Sequence, residues 1–90
     1  MDVWKSLGEK EAPGSMRTLD LLAPGESATI ARLDGDPGIA RRLMELGLVP
    51  GTIVAIVRTA PFGDPLELIV RGVHLSLRRS EARSIHVTPV

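Results

Sequence analysis

Ninety residues allow one small domain and leave no room for a second core. An apolar share of 43% excludes a disordered chain, and with Trp4 and Phe62 the only aromatic residues the core must be aliphatic. The 11 basic and 11 acidic residues cancel, which argues against a phosphate-binding surface, and the absence of cysteine excludes disulfides, thiolate metal sites and cysteine nucleophiles.

No window approaches the ~20 apolar residues that span a bilayer, and the mixed charges of the N-terminus carry no apolar leader. A cytoplasmic chain that does not itself cross a membrane is the expectation. Residues 1–15 hold both lysines and Pro13-Gly14-Ser15, and show no sustained period beyond Val3, Trp4 and Leu7. They read as a disordered N-terminal extension, with the domain occupying residues 16–90.

Leu19, Leu21 and Leu22 lead into the turn signal Ala23-Pro24-Gly25, and Ala28 to Leu33 reads as the first strand. Asp36 is placed to cap a helix with Pro37 at its first position, where no N–H is needed. The helix runs from Pro37 to Leu46, with Ile39, Leu43 and Leu46 on one face, and Gly47 terminates it. Pro50-Gly51 suits a type II turn: proline fixes φ at the second position and glycine supplies the positive φ at the third. The second strand follows from Thr52 to Thr59.

Ala60-Pro61-Phe62-Gly63-Asp64-Pro65 is a loop stiffened by two prolines, and Leu66 to Val70 is the third strand. Arg71-Gly72 makes a tight connection to a fourth strand, where Val73, Leu75 and Leu77 alternate with His74 and Ser76. Ser80 to Arg83 forms a single capped helical turn, and Ile85-His86-Val87 is a last short strand.

One echo runs through the chain. Leu22-Ala23-Pro24-Gly25 with Ile30-Ala31-Arg32 matches Leu48-Val49-Pro50-Gly51 with Ile56-Val57-Arg58, twenty-six residues on. The simple reading is one turn-and-strand design used twice in the same sheet; a duplication would need more than a short echo. Five short strands and one helix predict a mainly β fold, a small SH3-like antiparallel β-barrel with one short α-helix. An OB-fold is the second choice, but its longer strands need more residues than remain.

Chemistry is sparse. His74 and His86 each alternate with apolar neighbours and lie outside metal-binding spacings, so both are expected at the surface with no metal between them. The acidic residues are scattered, Asp34 and Asp36 lack the rest of a calcium-loop pattern, and no phosphate-binding glycine loop or nucleophile–base constellation occurs. No catalytic residue and no cofactor is assigned; a non-enzymatic role is expected.

A groove for proline-rich peptides needs an aromatic lining that this chain lacks. Binding must therefore use aliphatic or arginine surface. Phe62 either presents itself at the loop tip or folds back as a plug over the barrel end. The helix's outer side offers Arg41, Arg42 and Glu45, which an ordinary solvated face would also show. The candidate contact residues are Arg41, Arg42, Leu48, Val49, Pro61, Phe62 and Asp64.

Arg42-Leu43-x-x-Leu46-Gly47-Leu48-x-Pro50-Gly51, then Ala60 to Pro65, then Leu77-Arg78-x-x-Glu81-Ala82-x-x-Ile85-x-Val87 together resemble the ferrous iron transport protein A (FeoA) family, over roughly Leu19 to Val87. The resemblance implies a cytoplasmic, non-enzymatic SH3-like barrel. It also implies a partner, the cytoplasmic G-protein domain of a ferrous iron transport protein B-like permease, placing the chain at the inner face of the plasma membrane. A weak homo-oligomer is left open. Two rivals remain: a nucleic-acid-binding barrel using Arg71, Arg78 and Arg79, and a metal-sensing module of the kind found at the C-terminus of metal-dependent repressors.

Overall fold

Six antiparallel strands carry most of the buried side chains of the domain, and Leu19, Leu22, Leu43, Leu48 and Ala82 close over them from the turns and helices. The computed structural model describes residues 16–90; the disorder expected for residues 1–15 lies outside that range. The elements are β1 (Arg17–Thr18), a 3₁₀ turn (Leu19–Leu21), β2 (Ser27–Leu33), α1 (Pro37–Glu45), β3 (Ile53–Thr59), β4 (Leu66–Val70), β5 (Val73–Leu77), α2 (Arg79–Ala82) and β6 (Ile85–Pro89). The sheet order is β1-β6-β2-β3-β4-β5, so a strand that sequence alone did not reveal, β1, forms one edge and β5 the other.

Strict alternation builds the interior. Leu66, Leu68 and Val70 of β4 point inward with Val54 and Ile56 of β3, Ile30 of β2 and Ile85 and Val87 of β6, all at most 1% exposed. The core is aliphatic throughout, as the composition requires. β5 departs from the simple pattern. Leu77 is buried and Leu75 packs partly against the core, but Val73, on this edge strand, is 54% exposed although its partner Val70 is buried.

The echo in the sequence is an echo in space. Gly25 N–H donates to Ile56 O at 2.8 Å and Gly51 N–H to Ile30 O at 2.7 Å; Ile56 N–H donates to Glu26 O and Ile30 N–H to Thr52 O, both at 2.9 Å. β2 and β3 pair about Ala28 and Val54, and each carries a bulge at the matching place, between Ile30 and Arg32 and between Ile56 and Arg58. A bulge bends its strand and increases its twist, so the two together curl the sheet. One turn-and-strand design is used twice, related by a local two-fold.

The helix stop is a Schellman motif. Leu48 N–H donates to Leu43 O at 3.1 Å and Gly47 N–H to Met44 O at 3.0 Å, with Gly47 at φ 102°. Val49 to Thr52 then turns with Thr52 N–H on Val49 O, Gly51 at φ 92°. Of the three apolar residues expected on one helix face only Leu43 is buried; Ile39 and Leu46 stay 40% and 39% exposed, since α1 meets the sheet along a narrow line.

The ladder stays open between β1 and β5. Arg79, just beyond β5, spans that seam. Its Nη1 donates to Asp20 O, just beyond β1, at 2.6 Å, and its Nε to Gly63 O in the β3–β4 loop at 2.9 Å.

Candidate functional site

Asp36 caps α1 as its position suggests, its carboxylate accepting the Ile39 N–H at 3.1 Å. The capped helix presents Ile39, Arg41 and Arg42 outward. Arg42 reaches the carboxylate of Glu81 on α2, and the other carboxylate oxygen of Glu81 accepts the Arg78 N–H at 3.0 Å. Arg42 is therefore a clamp between the two helices with about half of its side chain, 52%, still in solvent. Arg41 remains on the exposed face.

The Ala60 to Pro65 loop is pinned at its base. Ala60 N–H donates to Pro65 O at 3.1 Å, Gly63 N–H to Ala60 O at 2.7 Å with Gly63 at φ 85°, and Asp64 Oδ1 accepts the Arg79 N–H at 2.9 Å. Asp64 thus caps the first turn of α2. With Arg79 also holding Gly63 O, the tip residues Pro61 and Phe62 are carried on a fixed stalk. Phe62 is 98% exposed, so it does not plug the barrel. A large aromatic side chain left wholly in water has no packing role in the isolated domain.

Between helix and loop lies an open groove of ≈ 720 Å³, walled by Ile39 and Arg42 on one side and by Pro65, Leu77, Arg78 and Glu81 on the other. The structure brings Arg42 and the base of the Phe62 loop to one surface. Leu48 does not join them. It is 0% exposed, buried as the apolar partner of Leu43 in the helix stop, so its assignment to a contact surface is corrected; Val49 beside it is half-buried. A residue two positions beyond a helix C-cap packs back on the last turn, and that position outweighed its nearness to the surface turn.

Three features escaped the sequence. His86 Nε2 donates to Asp34 Oδ2 at 2.7 Å, and Arg32 Nε reaches both oxygens of the same carboxylate at 3.3 and 3.2 Å. The register Arg32↔His86 makes this trio, and spacing along the chain gives no hint of it. His74 and His86 are not on neighbouring strands, and among the described residues no group of three or more His, Cys, Asp or Glu could hold a metal ion. The second feature is Arg79, named from the sequence only for the rival nucleic-acid reading and bound here to two carbonyls. The third is Arg58 on Glu67, at 2.9 and 3.2 Å across β3 and β4. That hydrogen bond, aided by attraction, holds the Glu67 carboxyl below its ordinary range and raises the Arg58 guanidinium.

These features define a small SH3-like barrel that offers a pinned loop and an open groove. The chain belongs to the FeoA domain family, whose model matches residues 17–89. It is 35% identical over 69 residues to the Fe(2+) transport protein A/Fe(2+) transporter FeoB fusion protein of Porphyromonas gingivalis, covering 77% of this chain and 8% of that relative. The solution structure of a FeoA-like protein from Clostridium acetobutylicum superposes with a TM-score of 0.78 at 33% identity, covering 83% of this chain and 87% of the other. The crystal structure of Stenotrophomonas maltophilia FeoA complexed with zinc, an SH3 domain protein, gives 0.69 at 38% identity, covering 78% and 87%. Among the described residues no helix is long and apolar enough to cross a membrane.

Proposed function

We propose that this chain is a non-enzymatic regulator of ferrous iron uptake that docks on the cytoplasmic G-protein region of a ferrous iron permease. Phe62 carries the reading: the one phenylalanine of the chain stands 98% exposed on a loop fixed at its base by Arg79 and Asp64. Burying such a ring in a partner's pocket supplies binding energy with little ordering cost, because the loop is already held. Pro61 beside it, Arg42 in the groove wall, Arg41 on the exposed helix face and Val49 after the helix complete the proposed surface, and Asp64 fixes the stalk. The fusion of the two transport proteins in the P. gingivalis relative supports the choice of partner. The site of action is then the inner face of the membrane, reached through the permease.

The test is capture of detergent-solubilised permease by the full chain and by Phe62→Ala. The variant should bind at least about tenfold more weakly, a loss of about 1.4 kcal/mol or more, with thermal midpoint unchanged. Equal capture by both proteins sinks the assignment, and so does a collapse of the midpoint, which would make Phe62 a structural residue.

A further inference from the structure

β5 is a sheet edge with no strand paired to its outer side among the described residues. The opposite edge, β1, is two residues long, whereas β5 pairs with β4 over five residues in unbroken register, Val70↔Val73 through Leu66↔Leu77. Protected edges carry proline, charged side chains or bulges. β5 reads Val-His-Leu-Ser-Leu and has none of these.

The direction of its free backbone groups follows from the hairpin. Arg71 and Gly72 have φ of 53° and 79°, the type I′ turn that closes on a hydrogen-bonded pair, Val70 and Val73. Alternation then makes Leu68↔Leu75 and Leu66↔Leu77 hydrogen-bonded as well, which leaves His74 and Ser76 with N–H and C=O aimed away from β4. Concave surface runs beside them. A hollow of ≈ 240 Å³ lined by His74, Leu75 and Ser76 and by Glu67 of β4 adjoins the larger groove, and Ser76 lines both.

Charge is uneven along this trough. Its carboxylates are engaged: Glu67 by Arg58, Glu81 by Arg42 and the Arg78 N–H, Asp64 by the Arg79 N–H. The Arg78 guanidinium, at the upper end, is exposed and makes no ion pair within 4.0 Å among the described residues. Its neighbours Ile39, Leu77 and Pro65 are apolar.

We infer that β5 accepts an extended peptide segment of a partner as an added strand, one with alternating apolar residues and a carboxylate beside Arg78. Main-chain bonds to His74 and Ser76 supply the hold, the apolar residues lie over Leu75 and Leu77, and the acid selects the direction of the segment. The inference rests on the docking reading only in sharing the groove of Arg42 and Pro65.

The experiment titrates the ¹⁵N-labelled full chain with the heptapeptide Glu-Val-Thr-Val-Thr-Val-Thr. Two control probes accompany it: the same peptide N-methylated at every second residue, in both phases, and one with lysine for glutamate. The acidic probe should shift the His74 and Ser76 amide protons downfield and protect them from exchange. Both N-methylated phases cannot keep the main-chain bonds, so one of them should lose binding. The lysine probe, or Arg78→Ala against the acidic probe, should bind about tenfold more weakly. The inference is overturned if millimolar peptide leaves the β5 amides unmoved, if all backbone-blocked probes bind equally, or if shifts centre on Phe62. Dilution-dependent shifts of β5 without peptide, with a dimer in light scattering, would assign the edge to a second copy and overturn it too. The two readings fail separately: permease capture with β5 indifferent to every probe overturns strand addition alone, and probe binding without capture overturns docking alone.

Discussion

Replacing Arg79 with alanine removes two charge-assisted hydrogen bonds, to Asp20 O at 2.6 Å and Gly63 O at 2.9 Å, while the backbone N–H keeps its bond to Asp64. Hydrogen bonds from a charged donor contribute about 1.5–3 kcal/mol each. Arg79 is only half-buried, so water can reach both carbonyls in the variant and recover part of the loss. The net cost should be about 2–3 kcal/mol, a large share of the roughly 5–15 kcal/mol that holds a domain together. For a domain of this size that lowers the thermal midpoint by about 10–20 °C. Arg79→Lys keeps the charge but reaches one carbonyl at a time, so it should recover less than half. Urea unfolding followed by far-ultraviolet circular dichroism gives the difference directly. A midpoint shift worth under about 0.5 kcal/mol, the scale of an ordinary surface substitution, would show that the seam between β1 and β5 does not depend on this side chain.

Gly47→Ala should cost about 1–2 kcal/mol: a new Cβ would sit 4.0 Å from Val70 Cγ1, an ordinary contact, so backbone strain at φ 102° is the whole effect in chemical denaturation. Leu48→Ala should cost about 2–5 kcal/mol and weaken permease capture only in proportion to unfolding, measured by comparing binding at 10 °C and 37 °C. Glu67→Gln tests the Arg58 pair. Its folded-state pKa is lowered, so its contribution is present above the unfolded carboxylate pKa and lost as pH falls through the folded value. Wild type should hold a small advantage in thermal midpoint at neutral pH that vanishes in acid and shrinks in high salt, because the pair faces solvent.

Local chemistry was legible where one residue type has one use. Gly47, Pro50 and Gly51 announced a helix stop and a turn, and alternation in Leu66 to Val70 announced a strand buried on one face. These signals act within a few residues. What stayed hidden depends on register between distant segments: Arg79 on Asp20, Arg42 on Glu81, His86 on Asp34. β1 was missed because two residues carry no period. Leu48 was misplaced because its burial is set by the last turn of α1, not by its neighbours in the chain.

The local two-fold has one more implication. Beyond β2 the chain makes α1, and beyond β3, at the corresponding exit, it makes the Phe62 loop. The bonds of Gly25 to Ile56 and of Gly51 to Ile30 fasten the entries to β2 and β3, whereas the exits are held by other bonds, Asp34 N–H to Ser84 O and Ala60 N–H to Pro65 O. The frame that β2 and β3 share is therefore fastened at their entries, away from both exits, so the inserts at the exits can change in composition while the reciprocal bonds stay put, and recognition can drift on a fixed architecture.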